Sequence, residues 1–228
     1  MSTLKLTALS IRRFLPSEQI DKALSLSVLF SIAMISGRIV YTGQFTYLFL
    51  VWNLFLAFLP YLITKAISRE PRLINTRIKF IIVFLLWLFW MPNAFYIITD
   101  LFHLGSTPNM PRWYDLALIL SCAWNGVMMG VLSVRQMEKI WHVLVPQIRE
   151  WWFMAPVMFL NAWGVYIGRF LRFNTWDIIS NPFVLMGDIF EMILHPVENR
   201  IAWSMVLCYS VMMGIMYVTL KQLSKAIR

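Results

Sequence analysis

Ile78-Lys79-Phe80-Ile81-Ile82-Val83-Phe84-Leu85-Leu86-Trp87-Leu88-Phe89-Trp90-Met91-Pro92-Asn93-Ala94-Phe95-Tyr96-Ile97-Ile98 is almost unbroken hydrocarbon, with one lysine close to its start. A helix needs about 20 such residues to cross the ~30 Å apolar core of a bilayer, and this run supplies them. Comparable runs lie near 22–41, 44–64, 114–134, 152–170 and 201–220. Six spans are expected, packed as an all-α polytopic transmembrane bundle that forms a single integral membrane domain over 1–228.

Composition agrees. Of 228 residues, 60% are hydrophobic and only 14% charged, with a mean hydropathy of +0.68. Soluble domains carry about 25% charged residues, so lipid rather than water is the solvent this chain is built for. The net charge of +9 would suit a nucleic-acid binder, but the basic residues fall in short clusters between apolar runs. That is the pattern of loops facing an anionic membrane surface, and it excludes nucleic acid as a partner. Cys122 and Cys208 sit in apolar surroundings with no His or second Cys at ligand spacing, so they read as small hydrophobes.

Cytoplasmic loops retain Lys and Arg, which makes their distribution a separate test of topology. On one side of the six spans stand Lys5, Arg12, Arg13, Lys22, Lys65, Arg69, Arg72, Arg77, Lys79, Arg135, Lys139, Arg149, Lys221, Lys225 and Arg228. The other side holds Arg38, Arg112, Arg169, Arg172 and Arg200. Fifteen against five predicts a cell (cytoplasmic) membrane protein with both termini in the cytoplasm. The opening residues, 1–21, read as a cytoplasmic amphipathic segment ending at Pro16, after which Ser17 caps the first span. No small-residue cleavage site follows, so that span is expected to be uncleaved. The long outer connection, 171–200, contains an apolar portion too short to cross. An interfacial or re-entrant helix is expected there, beginning after Asn181-Pro182 and ending before Pro196.

Polar groups inside a bilayer are costly, so their positions carry the functional evidence. In the third span Asn93, Tyr96, Asp100 and His103 fall on one stripe at helical spacing, beside a kink expected at Pro92. The fourth span opens with Asp115, and its face continues through Cys122, Gly126 and Ser133. In the fifth, Asn161, Gly164, Gly168 and Arg172 share a face, with Arg169 alongside and Asn174 and Asp177 just beyond. Gly164 and Gly168 form a small-xxx-small groove.

Two readings compete. In one, Asp and Arg pair across helices because neither tolerates isolation in a poor solvent. In the other they line an outward-facing site. Asp100, His103 and Asp115 are then the candidate catalytic residues, and Asn93, Tyr96, Arg169, Arg172, Asn174 and Asp177 the candidate ligand-binding ones. Asp100 and His103, one turn apart, are also candidate ligands for a divalent metal, although Asp-x-x-His is a weak signature. Asp188, Glu191 and His195 align on the short outer helix and read as its solvated face. Asn53 and Asn125 read as amides that join helices. Zinc-protease, nucleophile-elbow, phosphate-loop and dinucleotide motifs do not occur.

Val51-Trp52-Asn53-Leu54-Phe55-Leu56-Ala57 with Pro60, Pro92-Asn93-Ala94-Phe95-Tyr96, Thr99-Asp100-Leu101 and His103-Leu104 recur as a set in a family of predicted bacterial membrane proteins, domain of unknown function thirteen sixty-one. Trp113-Tyr114-Asp115, Gly168-Arg169-Phe170-Leu171-Arg172, Asn174 and Trp176-Asp177 extend the likeness from the second span to the outer connection. The chain resembles that family. The resemblance implies a multi-pass bacterial membrane protein with the polar cluster in the family pattern, and it implies no reaction. Three functions are therefore weighed. The first is binding or processing of an anionic lipid or envelope precursor at the Asp/His/Arg site. The second is a small transporter or channel, which the scarcity of inward polar residues beyond Asn53 and Ser133 disfavours. The third is a non-catalytic membrane assembly subunit with a protein partner. The sequence leaves open whether the chain is an enzyme.

Overall fold

The computed structural model describes residues 17–105, 110–147, 149–173 and 182–226. Among them the chain is helical throughout, with seven α-helices: α1 Glu18–Thr42, α2 Phe49–Arg69, α3 Arg77–Tyr96, α4 Arg112–Leu144, α5 Glu150–Arg169, α6 Pro182–Leu194 and α7 Arg200–Ala226. Short 3₁₀ segments cover Pro71–Ile74 and Ile97–His103. The amphipathic segment expected over 1–21 lies mostly outside the described residues.

Five helical segments are long and apolar enough to cross a membrane: α1, α2, α3 with its 3₁₀ extension to His103, α4 and α7. The run expected to span over 152–170 does form a helix, α5, but it is not among the five. Trp151, Trp152, Asn161, Trp163, Gly164, Tyr166 and Gly168 dilute its hydropathy. A helix that presents one face to other helices can afford such residues.

Local chemistry explains the helix ends. Ser17 caps α1, its side-chain oxygen accepting from the Ile20 amide at 3.4 Å, while Gly43 takes the left-handed conformation (φ 66°) that closes the helix. Thr76 caps α3 by accepting from the Lys79 amide. Proline 182 opens α6 at its first position, where the missing N–H costs nothing, and the helix stops at Leu194, before Pro196, as expected.

Residues 1–150 and 151–228 form two compact units. In the first, α1 to α4 run alternately up and down. The most buried member is α4, whose 33 residues reach about 50 Å at 1.5 Å per residue, well past the apolar core of a bilayer. Beyond Val134 it continues with Gln136, Met137, Glu138 and Ile140 buried and an Arg135–Glu138 ion pair at 3.2 Å.

Packing in this unit relies on small residues and interhelical hydrogen bonds, as lipid offers no hydrophobic drive between apolar helices. A β-carbon at Gly126 would stand 2.6 Å from the Ala94 carbonyl oxygen, and one at Gly130 would stand 3.1 Å from the Ala94 β-carbon. Thus α3 and α4 touch backbone to backbone at a Gly-x-x-x-Gly pair, Gly126 and Gly130. At mid-height Ser31 donates to Ser121 at 2.9 Å, and the Asn125 amide donates to Ser31 and to the Ser27 carbonyl. Lower down, Trp87 donates to Ser133 at 2.7 Å and Ser133 donates to the Pro60 carbonyl at 2.8 Å, tying α2, α3 and α4. At the far end Lys65 and Tyr61 both donate to Asp21, at 2.6 and 2.8 Å.

In the second unit, Trp203 of α7 donates its indole N–H to the Met192 carbonyl at 3.1 Å and stacks on Phe159. These contacts join α5, α6 and α7.

Candidate functional site

The end of the first unit opposite Asp21 holds three buried charged residues, Arg38, Asp100 and Asp115. Arg38, in the penultimate turn of α1, and Asp115, in the first turn of α4, meet at 2.8 Å, and both side chains are almost wholly buried. An arginine this deep in an apolar helix needs a counter-ion, and Asp115 supplies it. The ring of Tyr47 lies 4.5 Å from the Arg38 guanidinium, and its hydroxyl donates to the His103 carbonyl at 3.1 Å. Tyrosine 47 therefore bridges the ion pair and the turn that ends the third span.

That turn is where the structure departs from a simple helical stripe. The α-helix ends at Tyr96 and tightens into a 3₁₀ segment over Ile97–His103. At three residues per turn, side chains three apart eclipse, so Asp100 and His103 line up with Ile97 and not with Tyr96. Asparagine 93 turns back instead, its amide donating to the Trp90 carbonyl at 3.1 Å. The Tyr96 carbonyl accepts from the Thr99 hydroxyl at 2.6 Å.

Asp100 is 1% exposed and accepts from the Asn53 amide at 2.8 Å. His103 is half-buried, its imidazole edge-on to Phe49 with ring centres 5.3 Å apart. The turn therefore sets a buried carboxylate and a half-buried imidazole one 3₁₀ turn apart, against Asn53 and Phe49 of α2 respectively. Carboxylate and imidazole are both groups that exchange protons. Asp115, by contrast, spends its charge on Arg38.

Sequence reading placed Arg38 only among the outer basic residues, and missed Tyr47 altogether. A signal for Arg38 existed: a lone arginine inside an apolar run demands an acidic partner on a neighbouring helix. Asn53 does join helices as expected, and the atom it joins to is the Asp100 carboxylate.

In the second unit Arg169 ends α5, half-buried, and Arg172 is exposed with a left-handed backbone (φ 57°) that a side chain seldom adopts without local support. Asn174 and Asp177 lie outside the described residues. Among the described residues no group of three or more His, Cys, Asp or Glu is arranged to hold a metal ion.

Several apolar helices of spanning length, joined by buried polar contacts, define a multi-pass integral membrane protein of the all-helical class. Residues 52–216 match the model of the family described as Protein of unknown function (DUF1361), and the chain belongs to that family. The matched region contains Asn53, Asp100, His103, Asp115, Arg169 and Arg172. Neither a curated protein nor a solved structure matches the chain.

Proposed function

We propose that this protein binds or processes an anionic lipid or cell-envelope precursor, using the Asp100–His103 turn for proton exchange. The observation that carries the reading is the buried Asp100 carboxylate one 3₁₀ turn from the half-buried His103 imidazole, with Asn53 and Tyr47 fixing the turn. A structural role alone would be met by the Arg38–Asp115 pair. The His103 imidazole adds a group that can both donate and accept a proton. In the second unit, Arg169 and Arg172 are proposed, on their sequence pattern alone, as anion-binding residues. A divalent ion at Asp100 and His103 is an added proposal, and it would supply charge stabilisation to the same substrate class. The clustering of basic residues supports a bacterial cytoplasmic membrane, with Ser17 and Lys221 at the inner face and the Asp100 turn at the outer.

Native mass spectrometry of protein extracted from its own membrane tests the reading. Wild-type protein is expected to retain an anionic lipid or precursor. Asp100→Asn and Arg172→Ala, eluting as the wild type does, are expected to lose it; retention at wild-type levels by both would end the proposal.

A second reading, a membrane assembly subunit, is favoured by the interhelical bonding of both Asp100 and Asp115. It predicts a copurifying protein whose binding survives Asp100→Glu. Selective solute flux in liposomes would instead mark a transporter or channel.

A further inference from the structure

The second unit contains a groove that the Asp100 turn does not involve. A cavity of about 350 Å³ runs between α5 and α7, lined among others by Trp151, Met154 and Met158 from α5 and by Val211, Gly214 and Val218 from α7. Its volume falls in the range of small-molecule sites, roughly 300–1,000 Å³. The lining is almost entirely hydrocarbon and indole, and Trp151 and Val211 are largely exposed, so the groove opens sideways along a membrane-spanning helix. Glycine 214 forms part of its wall: a β-carbon there would meet no atom within 4 Å. The missing side chain is therefore not required by helix packing within the chain, and its absence leaves room for an occupant.

Charge at one end says what the occupant is. At helical spacing, Lys225 lies seven residues beyond Val218 and continues the groove-lining face, where it is exposed. Lys221, one turn before Lys225, is buried with its ammonium 5.7 Å from the Tyr217 ring centre, so Lys225 is the exposed charge here, and residues 200–228 contain no Asp or Glu. A chain of methylenes suits the groove and a negative headgroup suits its end. Basic residues at the membrane surface attract anionic lipid in this way.

We infer that the α5–α7 groove is a binding site for one acyl chain of an anionic phospholipid, whose headgroup sits at Lys225. This site is independent of the proposal made for Asp100 and His103, whose lipid retention is accordingly read in Gly214→Leu protein, where the groove is filled. The full-length protein, reconstituted in vesicles, is titrated with phosphatidylglycerol or phosphatidylcholine carrying brominated acyl chains. Bromine quenches nearby indoles, and the Trp151 contribution is taken by difference from Trp151→Phe. Stronger quenching of Trp151 by the brominated phosphatidylglycerol is expected. Gly214→Leu, which fills the groove, should remove most of that quenching, while Gly214→Ala, which fits without contact, confirms that helix α7 tolerates the position. Lys225→Gln should cut the preference for the anionic lipid by about fivefold. Equal quenching by the two lipids, or quenching unchanged in Gly214→Leu, overturns the inference.

Discussion

Asp115 and Arg38 illustrate how one buried charge dictates another. Each would be expensive to bury alone, and together they cost less because attraction offsets lost hydration. Removing one partner strands the other, so Asp115→Ala should lower unfolding stability by about 3–5 kcal/mol, measured by denaturation in detergent. The double variant Arg38→Met with Asp115→Leu should recover most of that loss; failure to recover would mean that the pair does more than neutralise charge. Asn53 acts more gently. Its amide donates to the Asp100 carboxylate, and Asn53→Ala should cost about 1–3 kcal/mol by leaving a buried acceptor short of one donor. The same substitution should also loosen lipid retention if the position of Asp100 matters to binding.

Among the elements, α4 carries the first unit, and its contact with α3 depends on two positions without side chains. Gly126→Ala brings a β-carbon to 2.6 Å from a carbonyl oxygen that cannot swing away, so the helices must part, at a cost of about 1–3 kcal/mol despite the better helix propensity of alanine. Thermal unfolding of the purified variant checks this. The spans of α1 to α4 and α7 were legible because apolar runs of that length have few other uses. The short helix α6 was legible because prolines bracket it. The switch to 3₁₀ geometry after Tyr96 was not, since the periodicity of polar residues there fits an α-helix equally well. The Gly126–Gly130 contact was visible as a spacing, but a spacing does not say which helix it meets. Arg38 was hidden for a similar reason: its partner lies 77 positions away, and only the fold brings them together.

Over the whole molecule, the account joins a membrane topology to a polar turn at one end of the first unit. On the proposed topology, an impermeant thiol reagent applied to intact cells should label Phe45→Cys, between α1 and α2, and spare Glu70→Cys, between α2 and α3. Both positions are exposed, and a Cys208→Ser background removes the exposed native thiol. The reverse pattern would invert the topology and with it the outward-facing site. The turn itself is reached through Phe102, which is 62% exposed beside His103. Replacing Phe102 with benzoylphenylalanine and irradiating intact cells captures whatever rests there. The account predicts an adduct with an anionic lipid or envelope precursor, enriched far above its share of the membrane and reduced by Asp100→Asn. Adducts with bulk phospholipid in proportion to its abundance, unchanged by that substitution, would contradict it.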